Sequence, residues 1–169
     1  MQRAWQCADL GDGRSRQADS LWAPVLPDVS TAPDGCAWGP VVSSVVIPLP
    51  WSNPPLSGNR TRGNPHARAN EVREAKDAAY LAIKRAKVKP IVGANITLHL
   101  RIADRRRRDA DNLAPTLKVC QDALVMANVL PDDSWVSVPS ATCRIHPPNG
   151  EPASMWLELA VLTEYQEPA

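Results

Sequence analysis

Apolar and polar side chains alternate most regularly along one short stretch, where the apolar positions are Ile96, Leu98, Leu100 and Ile102. A period of two residues is typical of a strand with one buried face. Similar but less regular alternation predicts strands at 45–49, at 136–145 and at 155–161. Pro48 and Pro50 confine the first of these to an edge of the sheet or mark its end, because proline has no N–H to donate to a neighbouring strand.

Two segments instead repeat their apolar positions every three or four residues, as one face of an α-helix does. The first spans about 70–87, with Asn70 as the expected N-cap residue and Pro90 after its end. The second spans about 114–127, and Asn128 behind it is suited to the left-handed backbone conformation that ends many helices.

The predicted elements follow in the order β-α-β-α-β-β. The expected fold class is therefore α+β, with two helices packed on a small mixed β-sheet. We expect this domain to span residues 41–165. Residues 1–40 have several prolines and glycines and no sustained periodicity, so a disordered N-terminal extension is expected there.

The composition is ordinary for a globular protein, with 44% hydrophobic and 22% charged residues. No stretch approaches the roughly 18 consecutive apolar residues of a membrane span, and charged residues interrupt the N-terminus where a signal peptide would be apolar. A cytoplasmic protein is therefore expected. The four cysteines form no CxxC pair, which argues against a zinc site.

The net charge of +1 conceals a strong asymmetry along the chain. Residues 59–108 are strongly basic, whereas residues 109–169 contain nine acidic and only two basic residues. A basic region beside an acidic cluster suits a protein that binds a polyanion and places carboxylates against it. Solvated helix faces are the simpler explanation of such charge runs, and charge alone does not decide between the two.

The most informative segment is DRRRRDADN at 104–112, between the most regular strand and the second helix. Asp109 and Asp111 are spaced to aim two carboxylates at one Mg²⁺ ion, which prefers oxygen ligands. The arginines beside them can pair with phosphates; they are Arg105, Arg106, Arg107 and Arg108. Alternatively, Asp111 only caps the helix and the arginines form a solvated turn.

A second acidic pair, Asp132 and Asp133, is predicted to open the third strand in LPDDSWV. Lys118 lies on the intervening helix beside its apolar face, where an ammonium group can stabilise charge on a reacting phosphate. The simpler alternative for Lys118 is a surface ion pair with Asp122, one helical turn away.

Taken together, three motifs resemble the RusA family of Holliday junction resolvases. They are DRRRRDADNL at 104–113, then QDAL at 121–124 with VLPDDSWV at 129–136, and the upstream loop PLPWSNPPLSGNRTR at 48–62. The resemblance covers about residues 45–163, in the family's order of elements. It implies a RusA-like fold and a bacterial or phage-encoded protein.

The resemblance also implies an activity. The family cuts four-way DNA junctions in recombination and repair, as homodimers that use Mg²⁺ and make paired symmetrical nicks. Its catalytic aspartates correspond to Asp109, Asp111 and Asp133, and Mn²⁺ is expected to substitute for Mg²⁺. Its catalytic lysine follows the second aspartate by four residues, where this chain has Pro115, and Lys118 is the nearest lysine. The expected DNA-binding residues are Arg105–Arg108 together with Asn59, Arg60 and Arg62 of the upstream loop.

Two alternatives stay open at this point. One is a DNA-binding module without catalysis, in which the acids balance the arginines. The other is a metal-dependent nuclease that acts on flaps or other branched DNA, since nothing in the sequence encodes four-way geometry. His66, His99 and His146 are dispersed along the chain and are expected to be non-catalytic. The helix between Asp109 and Asp133 leaves open whether Asp133 completes its own subunit's site or that of a partner.

Overall fold

The computed structural model describes residues 37–38, 41–58, 65–163 and 165–166. Their elements, in chain order, are β1 (Ala37–Trp38), β2 (Val41–Pro48), α1 (Pro65–Ala86), β3 (Gly93–Arg101), a 3₁₀ helix (Ala110–Leu113), α2 (Ala114–Met126), β4 (Ala141–His146), β5 (Ser154–Leu162) and β6 (Tyr165–Gln166). Apart from Ala37 and Trp38, the predicted extension at 1–40 lies outside the described residues. Those two residues form β1, which pairs with β6.

Four strands form a mixed sheet in the order β2-β5-β3-β4. The strand β5 is antiparallel to both of its neighbours, whereas β3 and β4 are parallel. Parallel strands need a long crossover, and the chain between β3 and β4 contains the 3₁₀ helix and α2. This arrangement confirms an α+β fold with two helices and a mixed sheet. Both expectations for the first strand are met, since β2 ends at Pro48 and lies at an edge of the sheet.

The core lies between the helices and one face of the sheet. The alternating side chains Ile96, Leu98 and Leu100 of β3 are buried, as predicted from their spacing. They belong to one apolar cluster with residues of β5, α1 and α2, among them Leu157, Leu159, Ala79, Ile83, Cys120 and Leu124. Each helix is therefore oriented by an apolar stripe that faces the sheet.

The first helix begins earlier than predicted. Asn70 lies inside α1, which starts at Pro65, so its assignment as N-cap is wrong. Proline suits a first helical position because its missing N–H would have no partner there. The second helix has its predicted bounds to within one residue, and Asn128 has a positive φ of 57°, as expected for the left-handed conformation.

The prediction of a strand from Val136 is wrong. Residues 131–140 form turns, and β4 begins only at Ala141. The Asp132 carboxylate accepts hydrogen bonds from the backbone N–H and hydroxyl of Ser134, at 3.1 and 2.8 Å. An acidic side chain that bonds the backbone two residues ahead favours a turn over a strand. Asp133 therefore lies in this turn and not at the start of a strand.

The opposite face of the sheet carries a polar network that sequence spacing does not suggest. His99 on β3 is only 4% exposed. Its Nδ1 lies 2.8 Å from His146 Nε2, and its Nε2 lies 3.0 Å from Glu158 Oε2. The Trp156 ring stacks on His99 with ring centroids 5.0 Å apart. The bonding pattern fits two neutral imidazoles, with His146 donating to His99 and His99 donating to Glu158.

Burial lowers the pKa of both imidazoles from its ordinary value. For His99, the Glu158 carboxylate opposes this effect and Arg144 adds to it. For His146, burial is assisted by His99, Arg144 and Arg101. If both rings are protonated, two N–H donors face each other across the 2.8 Å contact. The folded protein therefore favours at least one neutral ring.

We expect the free energy of unfolding to decrease as the pH falls below about 6.5, the ordinary histidine pKa. In that range the unfolded chain binds protons that the folded chain does not. The expected slope is up to about 1.4 kcal/mol per pH unit for each histidine. Urea denaturation between pH 5 and 8 measures it. His99→Gln should flatten the profile, and His66→Gln, on the exposed part of α1, is the control. A profile unchanged in His99→Gln would contradict this account.

No helix within the described part of the chain is both long enough and apolar enough to cross a membrane.

Candidate functional site

The segment predicted to carry chemistry leads from the end of β3 into the helices. Asp109 occupies the N-cap position of the 3₁₀ helix, with an extended backbone, but its side chain makes no capping hydrogen bond. Its backbone carbonyl accepts a bond from Asn112 N–H at 3.3 Å. Asp111 lies in the first turn, and both aspartates are exposed. Capping therefore does not account for the Asp109 carboxylate, and Asp111 is not the cap residue.

Asp104 organises the arginine run. Its carboxylate accepts a 3.1 Å bond from the Arg106 backbone N–H and a 3.2 Å bond from the Arg108 guanidinium. These contacts lower the pKa of Asp104, with the Arg106 N–H as the largest cause. Arg108 also donates to Asn53 Oδ1 at 3.2 Å. All four arginines, Arg105 to Arg108, lie at an exposed surface. Arg108 is held by the protein's own groups, so the four are not equivalent.

The loop after β2 is held against α2 by one buried hydroxyl. Thr116 Oγ1 donates to the Leu56 carbonyl at 2.8 Å and accepts from the Leu56 N–H at 3.4 Å. Thr116 is fully buried, and Leu56 packs against Ala75 and Val119. A single side chain therefore satisfies both backbone groups of a residue 60 positions away.

The same loop then reaches the aspartate segment. Gly58 donates its N–H to the Asn112 carbonyl at 3.3 Å, and a Cβ atom on Gly58 would lie 3.3 Å from Asn112 Oδ1. The close approach favours glycine, since any larger residue would press on the Asn112 side chain. The expected DNA-binding residues Asn59, Arg60 and Arg62 follow directly, but they lie outside the described residues.

Lys118 and Asp133 are brought into contact. The Lys118 ammonium forms an ion pair with the Asp133 carboxylate and a second one, of 2.9 Å, with Asp122. Hydrogen bonds that the Lys118 ammonium donates to Asp133 and then to Asp122 raise the pKa of Lys118, so the amine is protonated at neutral pH. The ion pair with Asp122 expected from helical spacing is thus present. Asp122 also pairs with Lys76 of α1 at 3.2 Å.

The contact between Lys118 and Asp133 shows how the chain returns after α2. The helix has 13 residues and is about 20 Å long. Lys118 lies eight residues, or about 12 Å, before the end of the helix, and its side chain contacts Asp133, so the turn at 131–137 lies back along the helix from its end. Asp133 therefore faces the middle of α2 in its own chain.

The three expected metal ligands are not assembled into one group. Among the described residues, no set of three or more histidine, cysteine, aspartate or glutamate side chains is placed to hold a metal ion. Asp109 and Asp111 flank the start of the 3₁₀ helix, whereas Asp133 is engaged by Lys118. The structure thus separates an exposed aspartate pair from a lysine–aspartate pair.

Comparison with known proteins adds no assignment. No protein-family model matches this chain, and no curated protein matches it. The resemblance noted above therefore depends on the motifs themselves.

Loss of the Thr116 hydrogen bonds should lower the free energy of unfolding by a measurable amount. Thr116→Val keeps the shape of the side chain but leaves the Leu56 carbonyl and N–H without their partner, which should destabilise the fold by about 1–3 kcal/mol. Urea denaturation measures this loss, and hydrogen exchange of the amides at 51–58 should become faster. Thr116→Ser keeps the hydroxyl and should lose less stability. Equal stability of the valine variant and the wild type would contradict this role of the hydroxyl.

Proposed function

We propose that this chain is a Mg²⁺-dependent endodeoxyribonuclease of the RusA type, which resolves four-way DNA junctions in recombination and repair. The observation that carries the proposal is the exposed pair Asp109 and Asp111, placed beside an exposed arginine run at the start of a helix. These carboxylates are not used to cap the helix, and they lie next to arginines, a residue type that binds phosphates well. Such a combination suits phosphodiester hydrolysis.

The chemistry of the aspartate pair fits Mg²⁺. The ion is usually held by one or two carboxylates, and its remaining positions are filled by water and substrate phosphate oxygens. Asp109 and Asp111 supply such oxygens, and Mn²⁺ is expected to substitute. When bound, the ion supplies Lewis-acid activation of the attacking water and neutralises charge on the phosphate. Because Asp133 contacts Lys118, its main proposed role is to position that lysine. Binding the metal ion is a secondary role.

Lys118 has the properties of a group that stabilises negative charge. Its raised pKa keeps it protonated, so it is not a general base. An ammonium group can neutralise charge that develops on the phosphate, or give a proton to the leaving oxygen. The two carboxylates that contact it hold it at the exposed face of α2. Pro115, which stands where the family has its lysine, lies in the first turn of α2, and Lys118 lies one turn beyond it.

The site is proposed to act within a homodimer that makes paired nicks. Because Asp133 contacts Lys118 of its own chain, we infer that these two side chains act in the same site. Two such sites related by a two-fold axis would cut two strands symmetrically.

One contact favours the alternative of a DNA-binding module without catalysis. Asp104 pairs with Arg108, as expected if acids only balance the arginines. This explanation does not extend to Asp109, whose side chain makes no capping hydrogen bond. Loss of cutting with retained binding distinguishes the two functions.

Asp109→Asn and Asp111→Asn should each abolish cutting of a four-way junction in Mg²⁺ while leaving junction binding intact or tighter. An amide ligates the ion poorly and no longer repels the phosphate. Gel assays of cutting, and binding measured in EDTA, check the two effects separately. Asp104→Asn is the matched control and should still cut. Full-rate cutting by either of the first two variants would refute the metal assignment.

Lys118→Met should reduce kcat without raising KM, because an interaction made mainly in the transition state is lost. Removing one charge-stabilising donor typically costs about 10²- to 10³-fold in rate. Lys76→Met is the matched control, since Lys76 also contacts Asp122 but lies on α1. Single-turnover cutting compares the variants. Normal cutting by Lys118→Met would show that another group provides the positive charge.

A further inference from the structure

A group of exposed basic residues lies where α1 ends. Its members, which we call the basic cluster, are Lys84, Arg85, Lys87 and Lys89. The chain has no acidic residue between Asp77 and Asp104, so none lies beside the cluster in sequence. Within the described part of the chain, the ion pairs of lysines and arginines all involve other residues. The positive charge of the cluster is therefore not neutralised by a neighbouring carboxylate.

The fold accounts for only part of this charge. Lys84 and Arg85 lie in the last turn of α1, where cations interact favourably with the partial negative charge of the helix end. The Lys84 ammonium also donates a 3.2 Å hydrogen bond to the Ala127 carbonyl at the end of α2. Lys87 and Lys89 follow the helix and have no such role. Since clustered like charges repel each other, their concentration here suits a surface that binds a polyanion.

The basic cluster and the aspartate segment lie at opposite ends of β3. Lys89 precedes the strand, which runs from Gly93 to Arg101, and Asp104 follows it. A strand of nine residues is about 30 Å long. One turn of B-form DNA measures about 34–36 Å, so the phosphates of one strand face the same side again after a similar distance. The separation therefore suits two contacts with one duplex arm, about one turn apart.

We propose that Arg85, Lys87 and Lys89 bind the phosphate backbone of a junction arm, about one turn of duplex away from the aspartate pair. This inference rests on the proposed function. Contacts from basic side chains to phosphates carry no base preference, and each neutralised phosphate releases counterions. The cluster thus adds salt-dependent affinity for DNA whose arms are long enough to reach it, and it fixes the direction in which one arm leaves the site.

The test is binding of four-way junctions in EDTA, followed by fluorescence anisotropy at several salt concentrations. One junction has arms of about 20 base pairs, and the other has loop-closed arms of about six base pairs, which span only about 20 Å. The double variant Arg85→Gln/Lys89→Gln should lower the slope of log K against log salt by about 1.8 on the long-armed junction, because two phosphate contacts are lost. Its slope on the short-armed junction should match that of the wild type.

Two further variants control for net charge and for folding. Arg73→Gln/Arg144→Gln removes the same charge from exposed positions outside the cluster and should leave both slopes unchanged. Arg85→Lys/Lys89→Arg keeps both charges in the cluster and should retain the slope of the wild type.

Three results would overturn the inference. They are an unchanged slope on the long-armed junction in Arg85→Gln/Lys89→Gln, an equal fall on the short-armed junction, and an equal fall in the net-charge control. An unchanged slope is also expected if the cluster binds an acidic protein instead of DNA. If the slope falls as expected but the wild type never cuts in Mg²⁺, the arm contact stands and the endonuclease proposal fails. If the wild type cuts and the slope is unchanged, only the arm contact fails.

Discussion

Because β3 lies between β5 and β4 and buries Ile96, Leu98 and Leu100 completely, the position of its last residue is closely constrained. A shift of one residue along this strand would turn its entire apolar set away from the helices. The strand ends at Arg101, and the aspartate–arginine segment begins three residues later, at Asp104. The buried face of one strand thus determines where the charged residues emerge.

Polar contacts between distant segments complete the arrangement. The Thr116 hydroxyl holds the loop after β2 against the start of α2, and Gly58 then lies against Asn112. Lys118 joins the middle of α2 to the turn that contains Asp133. Each contact attaches an irregular segment to a helix that the core already holds. Loops supported in this way can place functional side chains without regular structure of their own.

The features that could be predicted from sequence are those with local causes. The alternation in β3 and the left-handed Asn128 each depend on residues within a few positions. The contact of Leu56 with Thr116 and that of His99 with His146 join residues 60 and 47 positions apart, and no spacing rule identifies such partners. The strand expected from Val136 is absent because hydrogen bonds between Asp132 and Ser134 form a turn there. The alternation of Val136 and Val138 favoured a strand, and it concealed this local preference for a turn.

The proposed hydrolysis depends on two charged groups. One is the exposed pair Asp109 and Asp111, and the other is Lys118, which is held by two acidic side chains. The most direct test is to incubate the wild-type protein with end-labelled four-way junction, flap and linear duplex, each with Mg²⁺ and with EDTA. The account predicts paired, symmetrical cuts in the junction only when Mg²⁺ is present, with the linear duplex intact. Binding to all three DNAs without any cut in Mg²⁺ would contradict it.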